Sequence, residues 1–448
     1  MTGFRRGLCN ILSPERLKHL PAPYLVLIEF AVENYRSIRD EQRLSLVAAP
    51  VGDLEPTHVV EAPDGERLLR VAVVYGPNAS GKSNLLAAAA AMRRFVLRSA
   101  RRTRGDAIEE AEPFRLDEAS SSRPTVFEAL FVASGVRYQY GFSVTPERVE
   151  AEWLYSFPKR RGRLLFARER DGDAETYEFG ESLTGQKTLY RDATRPNALF
   201  LSTAVQLNSE ALTPVFDWFL RTLVYADSAR PRAFQSDRHT LRHCATEAGR
   251  RRVVRLLQAA DVGIEDVVVD TQETLVPVPR RGADPSLPEP QYTVHERPRV
   301  RFVHEGAPGA EPFEFRDESL GTRRLFGLAG RLLDVLEGGR VLVADELGSS
   351  LHPLILRAIV ELFVDPEANP KGAQLVFATH ETNLLDQDFL RRDQFWLTEK
   401  GRDGATTLTP LFDFKPRKGV EPLEKNYLKG RYGALPLPRF PRAVAGEG

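Results

Sequence analysis

The sequence predicts an α/β fold built around a parallel sheet, and three observations predict it. Leu68 to Tyr75 is a near-continuous apolar run, as in a strand buried on both faces, and a Gly-rich turn and an Ala-rich, helix-favouring stretch from Ser83 to Leu97 follow it. From Ser319 to Trp396 helical and strand patterns alternate, the signature of a parallel sheet covered by helices. Between 124 and 180 the pattern changes to paired runs around tight turns, which read as inserted β-hairpins.

Taken in order, Tyr24–Phe30 and Leu44–Val47 are strand candidates, and Leu68–Tyr75 reads as one strand. Thr125–Phe131 and Tyr138–Phe142 flank Ser134-Gly135, and Arg163–Arg168 and Thr176–Phe179 flank Asp171-Gly172-Asp173, giving two hairpins. From about 185 to 260 the pattern is helical, clearest at Val215–Val224 and Arg250–Ala260. Residues 275–313 are rich in Pro and Gly around a few short strands. The expected division is an N-terminal extension (1–23), a head in two parts (24–150 and 311–415), an inserted mixed hairpin and helical segment (151–310) and a tail (416–448).

The 448 residues suffice for one large domain or two ordinary ones, with 42% hydrophobic and 28% charged residues, a globular profile. The 62 basic and 62 acidic residues cancel, so no overall field draws the chain to nucleic acid or membrane. Cys9 and Cys244 are too few for a disulfide framework or a zinc site. No apolar run approaches the roughly 18–20 residues that span a bilayer. Charges at Arg5, Arg6, Glu15, Arg16 and Lys18 interrupt the first residues, so no signal-peptide core is expected. The expectation is a cytoplasmic protein without a membrane partner.

Gly76-Pro77-Asn78-Ala79-Ser80-Gly81-Lys82-Ser83 matches the phosphate-binding loop G-x-x-x-x-G-K-[ST] without a mismatch. Its glycines let backbone N–H groups curl around an anion, and the following helix points its positive end at the phosphates. Lys82 is expected on the β- and γ-phosphates of ATP, and the Ser83 hydroxyl on Mg²⁺. Arg340–Glu346 is an apolar strand ending in two carboxylates; Asp345 suits the metal, and Glu346 suits the deprotonation of an attacking water. Ala373–His380 is another strand, ending in a histidine that suits a γ-phosphate or the nucleophilic water. Ser319, with Gly321 two residues on, reads either as an N-cap with a loop glycine or as an anion site at a helix start.

The order of these motifs resembles the Walker A, signature, Walker B, D-loop and switch-histidine series of ABC-type ATPases: Gly76–Ser83, Ser319–Gly321, Asp345–Glu346, Leu351-His352-Pro353 and His380. Asn78, the Gly-Lys-Ser-Asn ending at Asn84, and Asn34-Tyr35-Arg36-Ser37 resemble RecF and SMC-like heads more than transporter cassettes. The resemblance implies an ABC-type nucleotide-binding head, a P-loop NTPase, with Arg36 and Asn84 joining the loop around the nucleotide. It also implies that two chains sandwich two ATPs, Ser319 and Gly321 of one gripping the triphosphate on Lys82 of the other. A narrower resemblance, carried by Phe395–Thr398 and Asn426–Ala434, is to the stand-alone RecF/OLD-like ATPases of bacterial defence operons, of RloA or PARIS type.

The chain departs from the pattern in places. The signature begins Glu318-Ser319, no Q-loop glutamine is evident near Phe114–Asp117, and the SMC coiled-coil arms and the acidic TOPRIM segment are missing. Two roles follow from the resemblance: a sensor or scaffold ATPase acting on a separate effector protein, with 151–310 and Tyr427–Tyr432 as partner surfaces, or a RecF-like repair ATPase on DNA. The arginines at 93, 94, 98, 101, 102 and 104, with Lys159-Arg160-Arg161 and Arg250-Arg251-Arg252, keep a nucleic-acid partner open.

Overall fold

The computed structural model describes residues 25–159, 161–172, 174–227, 237–260, 263–277, 292–306 and 311–436. The expected N-terminal extension, Arg160, Asp173 and, within the Pro/Gly-rich stretch, residues 278–291 and 307–310 lie outside them. The described residues fall into two compact units, a larger one of 25–227, 335–349 and 353–436 and a smaller one of 237–334 and 350–352.

Among the described residues, the larger unit holds two large sheets and a two-stranded one. Eighteen strands are named here in chain order, and β1 (Leu27–Glu33), β2 (Gln42–Ser45), β6 (Thr125–Ala133), β7 (Val136–Val144), β8 (Val149–Phe157), β9 (Arg163–Asp171) and β10 (Ala174–Phe179) form an antiparallel sheet. Its order is β10-β9-β8-β7-β6-β1-β2. The β6–β7 turn, Ser134-Gly135, takes φ of 50° and 76°, the left-handed pair that matches strand twist in a two-residue hairpin. This sheet runs straight through residue 150, where the sequence reading placed a boundary.

The second sheet is ordered β11-β15-β16-β5-β17-β18, from β5 (Val71–Tyr75), β11 (Leu223–Asp227), β15 (Val341–Asp345), β16 (Gln374–Ala378), β17 (Phe395–Lys400) and β18 (Thr406–Pro410). Its strands are parallel except β18, which folds back on β17. Two expectations are corrected here. The run Leu68–Tyr75 is two strands: β4 (Arg67–Leu69) pairs with β3 (Val59–Glu61), and β5 enters the parallel sheet. The break falls at buried Arg70, whose guanidinium donates to Asn369 O (2.9 Å). The helix expected over Val215–Val224 stops at Thr222, because Leu223 onward is drawn into register with β15, Leu223 opposite Val341.

Helix α1 (Lys82–Arg98) lies in the core between the sheets, touching β1 and β6 on one side and β15 and β16 on the other. Its buried face runs from Leu85 and Leu86 near the loop through the small Ala88, Ala89 and Ala91 to the larger Met92, Phe95 and Val96. One polar side chain ties the layers together. Gln374 at the head of β16 is 0% exposed; its carbonyl accepts from Leu27 N (2.7 Å) and its amide donates to Leu27 O (3.1 Å) and Leu69 O (3.0 Å).

In the smaller unit, α2 (Arg238–Cys244) and α3 (Glu247–Ala259) accompany a sheet of β12 (Ile264–Pro277), β13 (Tyr292–His304) and β14 (Phe313–Glu314). The short strands expected there are instead two long ones paired along their length, Ile264 opposite His304 and Pro277 opposite Tyr292. Asp334 of α4 (Leu320–Gly338) accepts from His239 (2.5 Å), Arg242 (2.5 Å) and His243 (3.0 Å) and so joins α4 to α2.

The tail also differs from expectation. After α5 (Pro353–Val364), α6 (Leu423–Leu428) and the residues after it pack onto the larger unit, leaving Tyr427 4% and Tyr432 2% exposed. Their rings face Tyr75 (5.8 Å) and Phe414 (5.6 Å), so they fill the interior instead of offering a partner surface.

Replacing Gln374 by Leu keeps the volume but strands three buried backbone groups, each costing about 1–3 kcal/mol. Gln374→Leu is expected to lose about 3 kcal/mol or more in denaturant unfolding; a loss near zero would show that the layers do not need this bond set.

Candidate functional site

The site is assembled at the end of β5. The chain leaves the sheet at Tyr75, curls through Gly76–Gly81 and enters α1 at Lys82. Gly76 (φ 157°) and Gly81 (φ 108°) have no room for a Cβ, which would collide with Thr398 at the first and Thr406 at the second. Ala79 also takes a left-handed φ, 63°. Pro77, Asn78 and Ala79 form the accessible rim, and Ser80 turns inward.

What holds this shape comes mostly from outside the motif. Thr406 Oγ donates to Ser80 O (2.9 Å), so its partner Ser37 Oγ (2.8 Å) is the donor to Thr406, and Asn84 Nδ2 donates in turn to Ser37 Oγ (2.7 Å). On the other side Thr398 Oγ donates to Tyr75 O (3.1 Å), leaving Ser80 Oγ to donate to Thr398 (2.6 Å). Both chains of donors run one way, and every hydroxyl in them is used. Neither Thr398 nor Thr406 belongs to a recognisable motif of this site; the one signal in the sequence is a polar residue closing the apolar run Phe395-Trp396-Leu397-Thr398.

Lys82 is 5% exposed, with its ammonium donating to Gly76 O (2.7 Å) and Pro77 O (3.0 Å). Burial pushes its pKa down to about 8, against the pull of the Asp345 and Glu346 carboxylates. The Ser83 hydroxyl donates to Asp345 Oδ1 (3.2 Å). Asp345 closes β15, and Glu346 after it takes a left-handed φ of 49°, turning the chain sharply out of the sheet. His380 follows β16; although the residue is exposed, partial desolvation at the sheet edge and the nearby Lys82 charge depress its pKa, and Glu346 opposes them, which favours the neutral imidazole. Lys82, Ser83, Asp345, Glu346 and His380 thus meet at the C-terminal edge of one parallel sheet, where open α/β sheets bind ligands.

The remaining sequence-selected residues are placed differently. Arg36 is gripped by Glu112 (3.0 and 2.7 Å) and lies 5.1 Å over the Tyr35 ring, so its guanidinium already has a carboxylate partner. Phe114, at the start of the stretch where a Q-loop would lie, donates its N–H to Asn34 Oδ1 (3.0 Å). Ser319 and Gly321 belong to the smaller unit. The Ser319 hydroxyl accepts from Thr322 N (3.0 Å) as the N-cap of α4, and a Cβ on Gly321 would come within 2.7 Å of Ser350 O.

The basic clusters are partly spent. Glu110 holds Arg94 (2.9 Å) and Arg102 (2.5 Å), and Arg93 donates to Phe219 O (2.8 Å) and Leu220 O (3.1 Å), while Arg98, Arg101 and Arg104 are exposed. Arg250 and Arg251 both pair with Glu247.

Residues 71–386 match the family model described as "AAA domain, putative AbiEii toxin, Type IV TA system". The chain belongs to this family. Such AAA domains are P-loop ATPases, and the α/β fold with its nucleotide loop between β5 and α1 is theirs. Among solved structures, the AAA-family chain is similar to the SMC head domain from Thermotoga maritima, at 12% identity, covering 86% of this chain and 98% of that one with a TM-score of 0.37. The SmcHead bound to the C-winged helix domain of ScpA is similar at 11% identity, 86% and 96% coverage and a TM-score of 0.41. The Smc head with an extended coiled coil, bound to the C-terminal domain of ScpA derived from Pyrococcus furiosus, gives 10%, 86% and 95%, and 0.36. No curated protein matches this AAA-family chain. No described helix is long and apolar enough to cross a membrane.

The depressed pKa of Lys82 has a signed consequence for the nucleotide-free chain. Its folded value, about 8, lies below its ordinary 10.5, so the folded state loses stability as pH falls from 10.5 to about 8 and keeps that penalty below. Lys82→Met removes the penalty. The variant is expected to be more stable than the parent at pH 7 by about 1–3 kcal/mol, part of the gain being offset by the two lost hydrogen bonds. The advantage should shrink as pH rises above 8, as followed by denaturation; a variant less stable at pH 7 would overturn it.

Proposed function

We propose that the chain is a Mg²⁺-dependent, ATP-hydrolysing molecular switch that closes into a dimer on ATP and governs a separate effector in bacterial anti-phage defence. The observation that carries the reading is the convergence of Lys82, Ser83, Asp345, Glu346 and His380 at one sheet edge. The donor set fits a small hard cation, since the Ser83 hydroxyl and the Asp345 carboxylate already touch (3.2 Å). These two residues would hold Mg²⁺, which when bound neutralises phosphate charge.

The chain's own groups supply the rest. Backbone N–H groups of Gly76–Gly81 and the Lys82 ammonium bind the β- and γ-phosphates, with Ser83 and Asn84 at the helix start. Glu346 takes a proton from water as the water oxygen bonds to the γ-phosphorus and the bond to the β–γ bridging oxygen breaks, releasing ADP and phosphate. His380, neutral, orients that water or the γ-phosphate. By resemblance, Ser319 and Gly321 of a second copy close over the triphosphate. Arg36 reaches nucleotide only by leaving Glu112.

The defence reading rests on the family's description as a putative AbiEii toxin of a Type IV toxin–antitoxin system and on the zero net charge. Arg93, Arg94 and Arg102 already have partners within the chain, which weakens the case for a DNA footprint. The competing reading, a RecF-like repair ATPase, rests on exposed Arg98, Arg101 and Arg104.

Glu346→Gln keeps shape but cannot take a proton, so ATP binding should survive and turnover fail. The variant's solution mass should double with ATP and not with ADP. Turnover at the parent rate would remove Glu346 as the base, and an unchanged mass would remove the dimer. Capture from native cells should recover a protein partner in a nucleotide-dependent way. DNA binding that falls by orders of magnitude between about 50 and 200 mM salt, and disappears in an Arg98/Arg101/Arg104 triple Ala variant, would favour repair.

A further inference from the structure

His380 presents a positioning problem that its own side chain does not solve. The residue is exposed, and among the described residues its imidazole makes no hydrogen bond, so the backbone turn beneath it must set where the ring sits. That turn is held from three directions. Glu381 N donates to Thr379 Oγ (3.1 Å) within the turn. From β5, the Tyr75 hydroxyl donates to Glu381 O (2.8 Å), one residue past the histidine. From the tail, Glu424 accepts from Thr382 Oγ (2.6 Å), and Glu424 N donates to Leu385 O (3.2 Å).

The hold extends further. Gln387 donates to Glu421 O (2.7 Å) and Arg417 O (3.1 Å) and accepts from Gly419 N (3.0 Å), so 417–424 tracks 382–387 closely. The tail then returns to the sheet: Tyr427 packs on Tyr75 (5.8 Å) and donates to Ala434 O (2.8 Å), and Ala434 N donates to Glu399 of β17 (2.5 Å). Nothing in ATP binding calls for residues 417–434, yet they grip the histidine turn and the tyrosine that precedes the phosphate loop.

We propose that residues 417–434 are a clamp that positions the His380 turn for hydrolysis, acting through Tyr75, Thr382 and Glu424. Tyr75 stands between the loop that binds phosphate and the turn that carries the histidine, touching the second through its hydroxyl. Burial raises its pKa, so that hydroxyl stays a neutral donor throughout the working pH range. The clamp rests on the ATPase reading above and deepens it: these are positioning residues and touch no nucleotide.

The test uses the full chain with Tyr75→Phe, Thr382→Val and Thr382→Ser. Tyr75→Phe loses only the bond to Glu381 O, and Thr382→Ser keeps the hydroxyl that Glu424 accepts from. Expected in Tyr75→Phe and Thr382→Val is a fall in kcat of about tenfold to a hundredfold, the range for a displaced catalytic group. The Kd for a non-hydrolysable ATP analogue should stay within about twofold, as expected for a group that acts after binding. Thr382→Ser should turn over like the parent. Adding His380→Ala to Tyr75→Phe should slow the enzyme no further than His380→Ala alone, because both act through one ring. Parent-like kcat in Tyr75→Phe and Thr382→Val, or additive losses in the double variant, would overturn the clamp. So would kcat and Kd worsening together in step with a lower melting temperature. Lys82→Ala separates the two claims: if it still hydrolyses ATP, the site reading itself falls. If it is inactive while Tyr75→Phe works normally, the clamp alone falls.

Discussion

A loop shaped for phosphate must turn backbone N–H groups toward one point, and the rest of the structure depends on how that curl is braced. Within Gly76–Gly81 the chain supplies one bond of its own, Ser80 N to Pro77 O (3.2 Å), and the rest of the scaffold comes from elsewhere: Thr398 and Thr406 supply hydroxyls, and Ser37 and Asn84 complete the chain. The absent Cβ atoms of Gly76 and Gly81 are what let β17 and β18 come that close. Once the loop is fixed, Lys82 has little choice of position, and its ammonium lies buried against two carbonyls near two carboxylates. The same rigidity brings Ser83 to Asp345 across the sheet.

Charge balance is achieved locally as well as overall. Buried Glu110 draws Arg94 and Arg102 to itself, and Asp334 takes two histidines and an arginine. Glu152, fully buried, accepts from Phe200 N (2.6 Å), Leu201 N (3.0 Å) and the Tyr140 hydroxyl (3.0 Å), so three donors compensate for its lost hydration. Runs of like charge in the sequence therefore say little about a field at the surface until their partners are known.

Much of the fold was legible because its signals are local. A phosphate loop is eight consecutive residues, a buried strand is an unbroken apolar run, and the Ser134-Gly135 hairpin is announced by its turn. The unread parts depend on distant residues. Leu223–Asp227 looks like the end of a helix until β15 offers it a pairing edge. The strands of 264–277 and 292–304 are too polar to stand out, and they exist because they pair with each other. Gln374, Thr398 and Thr406 are ordinary polar residues of strands, and only the folded chain shows which carbonyl each one meets. Tyr427 and Tyr432 read as surface marks because aromatic residues near a chain end give no hint of what they pack against.

The strand order of the parallel sheet also fixes when the protein becomes competent during synthesis. β5 has β16 and β17 as its neighbours, strands that begin about three hundred residues later, whereas the antiparallel sheet is built largely from hairpins of adjacent segments. Loops of that length close slowly, so the local sheet has the head start on the ribosome. The phosphate-loop motif is translated more than three hundred residues before its two bracing threonines, Thr398 and Thr406. A chain interrupted between them would carry the phosphate-loop residues without the strands that shape them.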